Sequence, residues 1–354
     1  MYLCDKIRLQ KKLEHLMSSV PRITSYINNL HPLKYKDLYR LVERVIDAAI
    51  PLWNMTLGPL ESCDWSNYLR VEYCGSYDEH IEQPEPKIFE PPIKPDPTID
   101  LKGDYAKSGL QVIVKLANIH LTPENPSYEG GSWHVEGQLV SFFSLIPILE
   151  QNLIGILLGK NEYICATALY YYSNENIENS TLAFRQQSST EAVVEIKYPQ
   201  DYHDWLPAVF GCEDRGPGLQ FIGSVDTREG RLLTFPNILQ HQVQPFSLVD
   251  QTKPGHRKIL ALFLVDPHVK VLSTANVPCQ QRDWWREHIE ELGTGLDRLP
   301  LELRDVVFDG VRDDFPISPE EAKDLRLKLM DERKAFVIRH DKAFNGPDFS
   351  LCEH

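Results

Sequence analysis

The chain predicts an α+β fold, a β-barrel or sandwich core dressed with helices, on three observations. An amphipathic helix lies near the N-terminus, a strand-rich middle follows, and a helical tail closes the chain, with no internal repeat. Residues 34–50 (KYKDLYRLVERVIDAAI) set Leu38, Leu41, Val42, Val45, Ile46 and Ala49 on one stripe, so a helix is expected from just after Pro32 to Pro51. From Asp64 to Asp104 the periodicity collapses, and Pro84, Pro86, Pro91, Pro92, Pro95 and Pro97 dictate an extended connection. Strands are expected at 110–118, 164–172, 192–198, 219–225, 231–235 and 259–265, each apolar or β-branched and bounded by Gly, Pro, Asp or Asn. Beyond Cys279 the pattern turns helical. Ser318-Pro319-Glu320-Glu321 is a capping box with proline at the first helical position, opening a charged helix to about His340. The expected divisions are an ill-defined segment 1–21, a helical part 22–63, the Pro-rich connection 64–104, the β core 105–275 and a helical tail 276–354 packed on it.

Composition narrows the function classes. The 354 residues carry 37 Lys+Arg against 51 Asp+Glu, a net charge of −14, which argues against a protein that tracks phosphates and therefore against nucleic acid as a partner. Seven cysteines (Cys4, Cys63, Cys74, Cys165, Cys212, Cys279 and Cys352) form no CxxC pair and read as reduced, mostly buried thiols. The opening stretch MYLCDKIRLQKKLEHLM has no apolar h-region, so no secretory signal is expected and the expected compartment is cytosolic or nuclear.

The chemistry-bearing stretch is Gly130-Gly131-Ser132-Trp133-His134-Val135-Glu136-Gly137. In extended backbone His134 and Glu136 share a face while Val135 points away, so an imidazole and a carboxylate can take adjacent positions on one metal ion. The best third ligand is His241, delivered on the turn after a strand that ends at Pro236. Two histidines and one carboxylate make the facial triad of non-haem Fe(II) oxygenases, with three coordination positions left open. Arg257 then begins a strand whose residues Ile259, Ala261, Phe263 and Val265 share its face; a guanidinium fork at a mostly apolar barrel mouth suits a carboxylate. His31, His120, His203 and His268 read as structural, His256 as a turn residue, and Tyr170, Tyr171 and Tyr172 as alternate-face packing. The last long helix reads as a solvated face, and Trp284 and Trp285 as packing of the tail on the core.

The order HxE, His, Arg resembles the 2-oxoglutarate- and Fe(II)-dependent dioxygenases. That resemblance implies a double-stranded β-helix (jelly roll), iron on His134, Glu136 and His241, and the distal carboxylate of 2-oxoglutarate on Arg257. Asp is the commoner carboxylate ligand there, so Glu136 is a minority variant. Longer strings resemble the fungal domain-of-unknown-function 4246 family: Ser25-Tyr-Ile-Asn-Asn-Leu-His-Pro32, Ala49-Ile-Pro-Leu-Trp-Asn54, Leu116-Ala-Asn-Ile-His-Leu-Thr122, Gly131-Ser-Trp-His-Val-Glu-Gly137 and Lys253-Pro-Gly-His-Arg-Lys-Ile-Leu-Ala-Leu-Phe-Leu-Val-Asp-Pro267. Ala275-Asn-Val-Pro278, Trp284-Trp285 and the closing Ser350-Leu-Cys-Glu-His354 fit as well, so the likeness runs from about Arg22 onward. Members tend to be longer at the N-terminus, which makes this chain resemble their C-terminal, catalytic-like portion. The resemblance brings no substrate with it; neither a peptide groove nor a small-molecule pocket is legible. Two other classes stay open: a non-catalytic jelly-roll interaction protein, and a cupin-like metalloprotein that does not use 2-oxoglutarate.

Residues 140–160 (VSFFSLIPILEQNLIGILLGK) fit none of this. Pro147 and the central Glu150, Gln151 and Asn152 make a membrane span costly, and no membrane partner is expected. Relatives pass directly from WHVEG into the strand that here begins near Asn161. Val140-Ser141 is what a GTAAGT splice donor encodes in frame, so the block is read as an unspliced intron, decided by sequencing the cDNA across it.

Overall fold

The computed structural model describes residues 4–8, 20–60, 99–137, 162–188, 196–279, 281–291, 295–310, 317–346 and 348–351. Most of the Pro-rich connection and the whole apolar block 140–160 lie outside these residues. In chain order the elements are β1 (Cys4–Arg8), β2 (Arg22–Ile23), α1 (Lys36–Leu57), α2 (Leu101–Asp104), β3 (Leu110–Leu121), β4 (Ser127–Tyr128), β5 (Ile164–Glu175), β6 (Thr181–Gln187), α3 (Leu206–Val209), β7 (Gly216–Pro217), β8 (Leu219–Asp226), β9 (Leu232–Pro236), β10 (Gln240–Val243), β11 (Phe246–Ser247), β12 (Gly255–Val265), α4 (Arg282–Glu291), α5 (Leu301–Asp309), α6 (Pro319–Asn345) and β13 (Asp348–Phe349). The fold is α+β, with antiparallel sheets and, among the described residues, six α-helices and no closed barrel. No helix among them is long and apolar enough to cross a membrane, and Cys165, Cys212 and Cys279 are free thiols.

A six-stranded sheet runs β2-β1-β3-β12-β5-β9 and a three-stranded sheet runs β10-β6-β8; β4 pairs with β11, and β7 with β13. Strands far apart in sequence are neighbours, since β12 inserts between β3 and β5 over its whole length. The two-residue period of β12 divides its apolar run between two cores. Leu260, Leu262 and Leu264, with Leu110, Val112, Ala166 and Ala168, pack on Val42, Ile46, Ala49, Ile50 and Trp53 of α1. Ala261, Phe263 and Val265 point the other way and, with Ile113, Leu169, Tyr171 and Phe235, meet Leu182 and Phe184 of the small sheet. Each of the Val, Leu, Ile and Phe side chains among them, taken from water, contributes about 1.5–3 kcal/mol. The two sheets therefore share an inner core, and α1 closes the outer face of the large one.

Several elements differ from expectation. Helix α1 does not stop at Pro51 but runs on to Leu57, because Ile50, Trp53 and Asn54 on its last turns are buried, Trp53 completely, and that burial outweighs the lost backbone hydrogen bond. No strand covers 196–198, the described part of the run expected at 192–198; Ile196 and Tyr198 instead pack on the Trp205, Leu206 and Phe210 cluster. Among the strands not expected, β6 and β10 pair with each other. At the tail, Ser318 Oγ accepts the Glu321 N–H at 3.1 Å, as a capping box should. The last long helix is not solvated all round: one face docks on the small sheet. Trp284 packs edge-on against His31 at 4.9 Å, and Trp285 against Phe308 at 5.6 Å.

Candidate metal centre

His134 sits on an extended segment beside the open edge of β10. Reciprocal backbone hydrogen bonds bind it to His241, N–H to carbonyl at 3.2 Å one way and 2.9 Å the other. Residues paired in this way project side chains to the same face, and the two rings lie 4.4 Å apart between centroids. Two residues further along the same segment, the Glu136 Oε1 lies 3.9 Å from His134 Nε2 and 3.6 Å from His241 Nε2. One ligand atom from each of the three falls within 4.8 Å of the others, so His241 converges on a pair of residues about a hundred positions earlier in the sequence.

The protonation states suit a cation. His134 Nδ1 lies 2.7 Å from the Ser132 carbonyl, which can only accept, so the proton rests on Nδ1 and Nε2 offers its lone pair. Partial burial, and then the neighbouring His241, push the His134 pKa down, which favours the neutral ring. Burial works against ionising Glu136, yet the close His241 ring, with Lys115 and His134 nearby, brings its carboxyl down to about 2. His241 is buried, and among the described residues its Nδ1 has no hydrogen-bond partner. Two imidazoles and an ionised carboxylate, one tautomer already set, match the donor preference of a divalent first-row metal.

Asn237 was not legible as part of this site. Buried at the exit of β9, it accepts the Glu136 N–H at 2.9 Å and donates its amide to the Glu136 carbonyl at 2.7 Å and the Ile164 carbonyl at 3.0 Å. The peptide carrying the carboxylate ligand is thus held from both sides. The only sequence signal is a Pro236-Asn237 strand exit four residues before His241. Gly137 follows the carboxylate with φ +69°, a left-handed conformation that favours glycine.

Arg257 lies on the inner face of the large sheet, 2% exposed. One Nη donates to Ser180 Oγ at 3.3 Å, and the guanidinium lies over the rings of Phe246 and Tyr171, at 5.1 and 5.7 Å. Burial pushes its pKa down, and no carboxylate pairs with it among the described residues. A buried guanidinium in an aromatic enclosure without a counter-ion is costly unless an anion is to arrive. His256 is not in a turn but in β12, hydrogen-bonded to Ser173 Oγ at 2.8 Å. Tyr171 faces the inner core, Tyr170 packs toward α1 and Tyr172 is exposed.

A two-sheet α+β protein with a His-Glu-His cluster between its sheets is the class these observations define. Residues 6–288 match the family described as "Protein of unknown function (DUF4246)", and the chain belongs to that family. No curated protein matches it. Among solved structures, it is similar to "Fe(II)/(alpha)ketoglutarate-dependent dioxygenase TqaL", with 16% identity and a TM-score of 0.26 over 48% of each chain, so it spans about half of that chain's length. It is similar also to "hydroquinone 1,2-dioxygenase PnpCD", with 11% identity and a TM-score of 0.17 over 48% of this chain and 64% of that one.

Proposed function

We propose that the chain is an Fe(II)- and 2-oxoglutarate-dependent oxygenase with a jelly-roll core. One observation carries the reading: His134, Glu136 and His241 converge between the sheets while Arg257, buried and without a carboxylate partner among the described residues, faces the same interior. The interleaved strand order, β3-β12-β5-β9 facing β10-β6-β8, supports a jelly roll. His134, Glu136 and His241 would hold the iron and leave three positions for cosubstrate and oxygen. When bound, the iron and 2-oxoglutarate supply oxidation of a C–H bond by dioxygen, the cosubstrate losing carbon dioxide and leaving as succinate. The protein's part is orientation and exclusion of water. The Arg257 fork takes the distal carboxylate, Phe246 and Tyr171 keep water from that pair, and the Ser132 carbonyl keeps the His134 proton away from the ligand nitrogen.

Anaerobic addition of Fe(II) and 2-oxoglutarate should give a weak visible charge-transfer band, absent in His134→Ala. Arg257→Gln should weaken 2-oxoglutarate binding by about 10-fold or more, since each lost charge-assisted hydrogen bond is worth about 1.5–3 kcal/mol, while metal affinity holds. Metal binding indifferent to Arg257→Gln, with no 2-oxoglutarate bound, would favour the cupin-like reading. Absence of band, metal binding and succinate together would leave the interaction-protein reading.

A further inference from the structure

Arg185 on β6 is outside the ligand set, yet it touches the residue preceding each histidine ligand. Its Nε donates to Gln240 Oε1 at 2.8 Å, and Gln240 precedes His241. Its guanidinium stands 4.5 Å from the centre of the Trp133 ring, and Trp133 precedes His134. Its Nη2 donates to Asp341 Oδ1 on α6 at 2.5 Å, and the Phe344 ring of the same helix lies 5.8 Å away. Gln240, fully buried, also meets His340 Nδ1 at 3.2 Å. Successive residues in extended backbone point to opposite faces. His134 and His241 therefore face the inner core, while Trp133, Gln240 and Arg185 line the back of the small sheet, where α6 lies. The register agrees, because Arg185 pairs with Gln240 while Phe184, of the inner core, pairs with His241.

We propose that Arg185 is a positioning residue for the metal centre, fastening α6 to the back of both histidine-bearing segments so that the C-terminal helix helps set metal affinity. The proposal rests on the metal-centre reading. A planar fork is well shaped for this role. One edge holds Gln240, another holds Asp341, and the flat face rests on Trp133, three contacts that a lysine cannot make together. Groups that orient a histidine from behind change metal affinity by about 10- to 100-fold when removed.

The test is Co(II) titration of the full chain, reading affinity calorimetrically and coordination by visible absorption. Arg185→Met should lose about 10-fold or more in affinity and alter the absorption envelope. Arg185→Lys should not restore either, and Asp341→Asn, which leaves Arg185 on Gln240 and Trp133, should show a smaller loss in the same direction. Asp341 is half-exposed, so Asp341→Asn carries the test if Arg185→Met fails to fold. Wild-type affinity and spectrum in the folded Arg185 and Asp341 variants would overturn the proposal and leave the metal-centre reading standing. A wild-type chain that binds no Co(II) would overturn both.

Discussion

Each sheet is backed by a helix, and the two helices are held by opposite means. Helix α1 lies on the large sheet through Val42, Ile46, Ala49, Ile50 and Trp53 against Leu260, Leu262 and Leu264, an almost wholly apolar contact. Helix α6 lies on the small sheet through directional groups, Asp341 to Arg185 and His340 to Gln240, and its Arg333 reaches Glu162 just before β5. Apolar contact is strong and indifferent to angle, so it stabilises without specifying. Hydrogen-bonded charge pairs add little net stability but define geometry. The metal-site histidines sit on the side where geometry is defined, and the stability rests on the other.

The largest effect should come from breaking the apolar side. Trp53 is fully buried, and its Nε1 has no hydrogen-bond partner among the described residues, so its contribution is packing. Trp53→Ala should cost about 3–5 kcal/mol in urea unfolding. Co(II) affinity of the still-folded protein should not change. If affinity fell in step with stability, the division of labour between the two helices would be wrong.

A middle-sized effect should appear at Asn237, which lies between the two regimes. Asn237→Ala would leave the Glu136 N–H and the Glu136 and Ile164 carbonyls without their partner, at a cost of about 1–3 kcal/mol. Here, unlike at Trp53, metal affinity should fall as well, because the same peptide carries the carboxylate ligand. A variant that lost stability alone would reduce Asn237 to a structural clamp.

The same contrast explains which parts of the structure are legible in the sequence. The apolar side announces itself: the α1 stripe and the runs of β5 and β12 are periodic, so they are readable from a few adjacent residues. His134 and Glu136 are readable because their spacing alone puts them on one face. The polar side is silent. Strand β6 (TLAFRQQ) and strand β10 (QHQV) carry Arg and Gln on the face that meets α6, so neither shows the expected apolar enrichment. Arg333, His340 and Asp341 make the docking face of α6 look like a solvated one. Asn237 and Arg185 acquire their roles only through partners up to 156 residues away, which no local pattern encodes. Helix α1 runs through Pro51 for a related reason: burial of Trp53 overrules local propensity.

The smallest effects should separate the helices by pH. On the α1 side, burial pushes the Cys165 thiol from 9.0 up to about 12. In the unfolded chain that thiol loses its proton near its ordinary value, so between about 9 and 12 the unfolded state binds fewer protons and stability should fall as pH rises. On the α6 side, burial pushes the His340 pKa below 6.5, with Asp341 opposing and Arg185 assisting. Below 6.5 the unfolded imidazole binds the proton that the folded one refuses, so stability should fall as pH drops through that range. The contact itself gives the reason, since His340 Nδ1 accepts from the Gln240 amide and a protonated ring would present donor to donor. Urea midpoints measured across pH should therefore decline at both ends, Cys165→Ala flattening only the alkaline limb and His340→Gln only the acid one. If His340→Gln left the acid limb unchanged, the polar docking of α6 would not be what titrates there.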